Sequence, residues 1–218
     1  MKASFLTPFL FLILLAFGCK DDGCVVPSDK PTNYTLTTGG FNRVVLLGEA
    51  NLFFEQDSNA FSAIIRGSDN IIPLWTSFLT DSTLFISLRS GVCVDQNDVS
   101  FNFIMPEIKS VQVTGNSNML FTRTTGERLD ISCFGYSTIR LDSCRYQSIN
   151  YLNTGSGNLL GFSSPVDSME VNISGNARAE VNVIEHLWVR ITGSGKVIYE
   201  GDPEIREFIT GNGTVKPR

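Results

Sequence analysis

A short glycine-centred motif recurs through the second half of the chain. Consecutive copies are 20, 20, 20, 18 and 18 residues apart. Their central residues are Gly115, Gly135, Gly155, Gly175, Gly193 and Gly211. A repeat of this length predicts a solenoid, because one copy cannot bury its apolar side except against its neighbours.

Residue types at fixed offsets from the central glycine predict a strand on each side of a turn. The position two before it is apolar or a thiol in five of six copies, and the position four after it is always apolar. Apolar and polar residues alternate, as in β-strands. The glycine itself suggests a positive φ, which costs other residues about 1–2 kcal/mol. The residue before it is Ser or Thr in five copies, which predicts a hydrogen-bonded hydroxyl ladder between rungs.

The same template extends toward the N-terminus. Gly48 and Gly67 have apolar residues at matching offsets, so we expect each to form a rung corner. The period lapses over 68–110, although "TLFISL" and "VSFNFIMP" still have the composition of strands. The sequence therefore predicts an all-β solenoid with rungs of 18–20 residues and no long helix.

The first eighteen residues have the composition of an export signal. Lys2 precedes a short apolar run that contains Pro8, and the run ends in "LLAFGC" at Cys19. This ending resembles the lipobox of bacterial lipoproteins, which implies cleavage before Cys19 and acylation of that cysteine; the alternative is an uncleaved anchor. The following "KDDG" resembles the surface-export signal of Bacteroidota lipoproteins. We expect a signal peptide over 1–18, a lipidated linker over 19–40 and the solenoid over 41–218.

Charge and motif spacing exclude several classes of function. The net charge is −5, and no basic cluster is present, which argues against nucleic-acid binding. The stretch "TGSGKVIYEG" from Thr192 ends its glycine-rich part in Lys196, like a phosphate-binding loop. However, Arg190 replaces the first glycine of that motif, and Val197 follows the lysine. We expect no cofactor, and His186 as the only histidine argues against a zinc site.

Four further cysteines allow two disulfides in an oxidising compartment. Cys133 and Cys144 lie half a rung apart, on opposite sides of a core whose sheets are ~10 Å apart, which is too far for a bridge. Cys24 and Cys93 are the favoured pair, and for Cys133 a buried free thiol is the alternative to a disulfide.

Two stretches carry the family resemblance. "VRITGSGKVIYEGDPEIREFITGNGTVKP" and "FNRVVLLGEANLFFEQ" resemble the end and the beginning of the putative auto-transporter adhesin, head GIN domain family. The resemblance covers about residues 40–218. It implies a right-handed β-helix-like fold on an exported, often lipid-anchored protein, and it implies no catalytic residues.

The remaining candidate sites are sparse. Asp95 and Asp98 lie in the irregular segment, but no outward column places two acids on adjacent rungs, so we expect no enzyme. His186 is expected to pack on Trp188, and Trp188 with Tyr151 or Tyr199 offers a stacking platform for a sugar. We therefore expect a surface lipoprotein that binds a glycan or another envelope component as an adhesin. The alternatives are a carbohydrate-active enzyme on the same scaffold and a non-catalytic envelope scaffold.

Overall fold

A computed structural model describes residues 23–36 and 39–218, which form an all-β solenoid as predicted. Cys19 and the signal peptide lie outside the described residues. The strands are β1 (Pro31–Thr35), β2 (Arg43–Leu47), β3 (Ala50–Gln56), β4 (Ser62–Ser68), β5 (Trp75–Thr80), β6 (Thr83–Leu88), β7 (Ser100–Met105), β8 (Ser110–Thr114), β9 (Ser117–Thr122), β10 (Thr125–Phe134), β11 (Tyr136–Asp142), β12 (Arg145–Asn153), β13 (Ser156–Gly175), β14 (Arg178–Gly193), β15 (Lys196–Glu200), β16 (Glu204–Gly211) and β17 (Thr214–Pro217). The described helical structure is one 3-10 turn, Ile72–Leu74, and no described helix is long and apolar enough to cross a membrane.

The strands stack in two faces around the core. Stack A contains, in spatial order, β5, β6, β2, β8, β10, β12, residues 166–175 of β13, residues 186–193 of β14, and β16. Stack B contains β1, β4, β7, β3, β9, β11, residues 156–161 of β13, residues 178–182 of β14, β15 and β17. Rung-to-rung pairing is parallel. Antiparallel pairs join β1 to β4, β4 to β7 and β5 to β6, all at the N-terminal end.

The rungs do not follow chain order at this end. Strand β2 lies between β6 and β8, and β3 lies between β7 and β9. Residues 57–105 therefore form an end cap over the rung that precedes them in sequence. The prediction that Gly67 is a rung corner is wrong, since it lies inside β4 and pairs with Thr32 of β1. The predicted strands in "TLFISL" and "VSFNFIMP" are confirmed as β6 and β7.

The apolar columns predicted from the repeat form the core. Phe54 stacks on Phe121 and Phe103 of the adjacent rungs, with ring centroids 4.5 and 5.1 Å apart. The polar exception, Asn153, is also buried. Its Nδ2 donates to Tyr151 Oη at 3.0 Å, and its Oδ1 accepts from the Gly155 N–H at 2.9 Å, so the amide is satisfied within the core.

The residues around the turns differ from expectation in two ways. Gly155 does not have the expected positive φ; Gly157 adopts it instead, at 138°. The hydroxyl column is exposed, and in the described chain no hydrogen bond joins hydroxyls of this column on adjacent rungs. The predicted hydrogen-bonded ladder is therefore wrong, because outward Ser and Thr side chains are free to turn toward solvent.

The segment before the first rung is held against the end cap. Cys24 and Cys93 form a disulfide, as predicted, and Val25 bridges Val94. Strand β1, which the repeat pattern does not indicate, then pairs with β4. Cys133 and Cys144 do not pair, as predicted, and both are buried free thiols. Burial raises the pKa of the Cys133 thiol to about 12.

The last rung carries features of a protected edge. Strand β16 pairs with β14, and no strand lies on its other side within the described chain. Glu207 pairs with the buried Val189, so it occupies the core-facing column where earlier rungs carry apolar residues. Pro217 closes β17. Inward charges and prolines on edge strands oppose pairing with another chain.

Candidate functional site

The outward face of stack A carries an aromatic patch on its last two rungs. We define the aromatic patch as His186, Trp188, Arg190, Arg206 and Phe208. Trp188 is 39% exposed and Phe208 is 61% exposed. Large exposed aromatic side chains on adjacent rungs are typical of a surface that binds something.

The strand register assembles this patch. Within stack A, Trp188 pairs with Glu170 on one side and with Arg206 on the other. Arg190 pairs in the same way with Phe208. Paired residues in a parallel ladder point to the same face, and alternate residues along one strand do so as well. Side chains at two-residue intervals on β14 and β16 are therefore brought into one surface.

Contacts within the patch hold its planar groups in place. His186 stacks on Trp188, with ring centroids 5.4 Å apart and planes inclined by 26°. The predicted packing of this histidine on Trp188 is confirmed. The Arg190 guanidinium carbon lies 5.5 Å from the centre of the Phe208 ring, which is a cation–π distance. Glu204 anchors the rim through an ion pair with Arg206 at 3.0 Å, and it lies 3.7 Å from His186 Nδ1.

The patch encloses a shallow depression of about 190 Å³. Glu170, Trp188, Arg190, Arg206 and Phe208 contribute to its lining. Pockets that enclose a small molecule usually have about 300–1,000 Å³. This depression is below that range, so the geometry suits a segment of a larger ligand that lies across the surface.

The chemistry of the patch matches ligands that combine flat apolar faces with polar edges. An indole ring offers an apolar face for stacking, and a guanidinium donates paired hydrogen bonds to carboxylates or hydroxyl groups. Among the described ion pairs, Arg206 is bound to Glu204, whereas none involves Arg190. Arg190 is therefore the guanidinium available to a ligand.

The structure does not bring the other predicted platform residues to Trp188. Tyr151 is fully buried in the core, so the interpretation of Tyr151 as a stacking partner is wrong. Tyr199 lies on β15 of stack B, where it pairs with Val181 and Pro217. Arg190 and Phe208 both stand three residues before the central glycine of their repeats, so the sequence places them in one column. Their contact with each other depends on register.

The acidic candidates do not form a site. Asp98 Oδ2 accepts a hydrogen bond from Ser68 Oγ at 2.7 Å, which ties the irregular segment to β4. Asp95 donates its backbone N–H to the Val25 carbonyl at 2.9 Å beside the disulfide. Over residues 23–36 and 39–218, no group of three His, Cys, Asp or Glu side chains is arranged to hold a metal ion.

Comparison with solved structures finds the same fold in other proteins. A putative adhesin from Bacteroides fragilis NCTC 9343 is 20% identical and has a TM-score of 0.68, covering 89% of this chain and 100% of its own. A putative adhesin from Parabacteroides merdae ATCC 43184 is 19% identical with a TM-score of 0.55, covering 89% and 98%. A putative lipid binding protein from Parabacteroides distasonis ATCC 8503 is 20% identical with a TM-score of 0.58, covering 90% and 100%.

Comparison of sequences is more specific. No curated protein matches the chain. A family model described as "Putative auto-transporter adhesin, head GIN domain" matches residues 40–203, which is most of the solenoid. The resemblance noted from the first and last repeats is thereby confirmed, and the chain belongs to the putative auto-transporter adhesin, head GIN domain family.

Proposed function

We propose that this protein is a surface-tethered adhesin that binds glycans through the aromatic patch. The observation that carries the proposal is the exposed Trp188, which lies between Glu170 and Arg206 in one ladder and beside the Arg190–Phe208 pair. Membership of an adhesin-named family supports the general role. The glycan assignment rests on the patch.

A polysaccharide fits the shape of this surface. Sugar rings present C–H groups on their faces and hydroxyl groups at their edges, so an indole and a guanidinium recognise complementary parts of one ring. The patch lies on a flat β-face, which leaves a polymer free to extend beyond the contacted rings. Arg190, which has no ion-pair partner among the described residues, favours a glycan that carries a carboxylate.

Tethering through Cys19 would orient this surface away from the membrane. Cys19 precedes Cys24 by five residues, which span at most about 18 Å when fully extended. Cys24 is bound to the N-terminal end cap through Cys93. Trp188 on β14 is six strands away from β6 in stack A, a separation of about 29 Å at ~4.8 Å per strand. A lipid at Cys19 would therefore leave the aromatic patch at the far end.

The outward columns support a non-catalytic role. The ladder that leads to Trp188 runs through Asp130, Asn150 and Glu170, so an amide separates the two acids. Glycoside hydrolysis usually needs two carboxyl groups about 5–10 Å apart on either side of one bond. Two steps of ~4.8 Å place Asp130 and Glu170 about 10 Å apart, at the upper limit of that range, and Asp130 is already ion-paired with Arg128 at 2.8 Å.

A glycan array with the full-length protein tests the binding proposal. Wild-type protein is expected to bind a subset of acidic glycans, and Trp188→Ala and Phe208→Ala are each expected to lower that binding at least tenfold, roughly the effect of losing one stacked aromatic contact. Phe78→Ala is the matched control, because Phe78 is also 61% exposed but lies on β5 at the other end. Binding that is unchanged in both patch variants, or lost equally in Phe78→Ala, would contradict the proposal.

The tether has a separate test. Cells that express the full-length chain are fed an alkyne-tagged fatty acid, and label on the protein is compared between wild type and Cys19→Ser. We expect the fatty-acid label on the wild-type protein alone. We also expect protease added to intact cells to digest the wild-type protein. Label that persists in Cys19→Ser would exclude this cysteine as the lipidation site.

A further inference from the structure

An apolar cavity of about 400 Å³ opens at the N-terminal end of the solenoid. Its lining includes Leu36, Ile65, Ile72, Trp75, Ile86 and Phe101, and no charged side chain of the described residues contributes to it. Its volume lies within the range of about 300–1,000 Å³ that small-molecule pockets occupy.

The fold explains why the core is open here. Strand β5 is the outermost strand of stack A and β1 is the outermost strand of stack B. The cavity lies between residues of these strands and of their neighbours β4, β6 and β7. Its floor is the core itself, since Ile65, Ile86 and Phe101 are almost fully buried. The cavity therefore exposes apolar core side chains to water, which is unfavourable in free energy.

Trp75 contributes an aromatic ring to the cavity wall. The side chain lines the cavity and packs edge-on against Phe101, with ring centroids 5.3 Å apart. Only 9% of the residue is exposed, and its indole N–H has no hydrogen-bond partner among the described residues. The nitrogen itself has almost no accessible surface, so Trp75 presents its apolar ring rather than its N–H to the cavity.

We propose that this cavity binds the acyl chain of a single-chain amphiphile. The uncharged apolar lining accommodates the hydrocarbon, and the open mouth leaves a polar head group in water. The site is a small concave cavity, whereas a docking face for a second chain is a broad surface that buries about 800 Å² on each partner. The site is independent of the aromatic patch, because it lies at the opposite end of the solenoid.

Fluorescence titration of the full-length protein tests this site. The chain has two tryptophans, so Trp188→Phe leaves Trp75 as the only tryptophan reporter. The probes are dodecanoic acid and monododecanoylglycerol, which share the acyl chain but differ in head group. Each is titrated below its micelle-forming concentration, and we expect a saturable change in Trp75 emission. Saturation by dodecanoic acid alone would identify a free fatty acid as the ligand, and saturation by both would identify the acyl group.

Ser77 allows the cavity to be filled without removing a core residue. It lines the cavity and pairs with Ile86 across the hairpin. Ser77→Phe is expected to abolish saturable binding, and Ser77→Leu is the smaller alternative should the first variant fold poorly. Thr80→Phe is the matched control, since it places the same ring on the same strand but outside the cavity lining. Its affinity should equal that of the parent protein.

Three results would overturn the cavity proposal itself. They are the absence of saturable binding by any probe, binding that survives Ser77→Phe and Ser77→Leu, and a ligand-free dimer that Ser77→Phe converts to monomer. The last result would identify a second copy of the chain as the occupant. Binding that appears only after Cys19→Ser would identify the chain's own lipid instead.

Discussion

Gly155 lies directly against Gly135 of the preceding rung. A β-carbon built on Gly155 would come within 2.2 Å of the Gly135 carbonyl oxygen. The same approach recurs along the ladder, where Gly193 would meet the Gly175 carbonyl oxygen at 2.8 Å. The repeat therefore needs glycine mainly because the rungs approach each other closely at this corner, and a positive φ is an additional requirement at most of its positions.

Substitution of Gly155 separates these two causes. Its φ is not positive, so Gly155→Ala is destabilising only through the close approach. We expect a loss of about 2 kcal/mol or more in the free energy of unfolding, measured by urea denaturation, because the rung must shift to admit the methyl group. Gly23→Ala is the control, since a β-carbon there has no atom within 4 Å. Equal stability of Gly155→Ala and wild type would show that the ladder tolerates a side chain.

Gly193→Val combines the close approach between rungs with the strain of a positive φ. It combines a φ of 121° with the close contact to Gly175, so its loss of stability should exceed that of Gly155→Ala. The expected measurement is a lower midpoint in the same urea experiment. ATP binding, tested in parallel by calorimetry, should be undetectable in wild type and variant. Binding of ATP by the wild type and its loss in the variant would restore the phosphate-loop interpretation of this stretch.

Glu207 is expected to keep the last rung from associating with other chains. Glu207→Val extends the buried column of Val171 and Val189 onto an edge strand that has no further described partner. We expect concentration-dependent dimers or larger species in sedimentation velocity, because an apolar edge invites strand addition. Thr210→Val, on the outward face of the same strand, should remain like the wild type. A monomeric Glu207→Val protein would mean that other features, such as Pro217, protect the edge alone.

The cysteines should differ in reactivity. Cys24 and Cys93 are both exposed, whereas the free thiols of Cys133 and Cys144 are buried. After mild reduction of the native protein, only Cys24 and Cys93 should therefore react with an alkylating reagent. Reduction opens the loop that the bridge closes, whose ends are 69 residues apart in the sequence. We expect this to lower the free energy of unfolding by about 2–4 kcal/mol. Pulse alkylation with peptide mass mapping, before and after unfolding in urea, measures both. Alkylation of Cys133 in the native protein, or a bridge between Cys133 and Cys144, would contradict the structure.

Alkaline pH should destabilise the fold because the thiol of Cys133 and the phenol groups of Tyr146 and Tyr151 are buried in their protonated forms. Burial raises the pKa of Cys133 from 9.0 to about 12, and it also raises the pKa values of Tyr146 and Tyr151. The unfolded chain thus releases these protons first, and stability is complete below about pH 9 and is lost as pH rises toward 12. Each such group contributes a slope of about 1.4 kcal/mol per pH unit in that window. Urea unfolding at pH 7, 9 and 10.5 should show this decline, and Cys133→Ala should make it shallower; parallel declines in both proteins would contradict it.

Local patterns in the sequence were sufficient for the rungs. Alternation around Gly115, Gly135 and the later glycines predicts strand–turn–strand units, because the side-chain period of two is a property of each strand alone. The spacing of the copies predicts their stacking, since each rung must bury its apolar face against the next. The position of Cys133 within such a unit argued against a bridge to Cys144, which left Cys24–Cys93 as the favoured pair.

The order of the rungs at the N-terminal end required the tertiary structure. Asn118 Nδ2 donates to Asn51 Oδ1 at 3.0 Å across 67 residues, because the rung of β2 and β3 inserts beneath β8 and β9. Strands of similar composition can pair in several orders, so nothing local to Gly67 distinguishes a rung corner from the interior of β4. Register likewise decided that Arg190 meets Phe208, whereas the burial of Tyr151 was already implied by its alternation with Ile149 and Asn153 along β12. Sequence determined which residues alternate, and only the packed fold determined which of them become neighbours, because contacts between rungs depend on pairing partners that are distant along the chain.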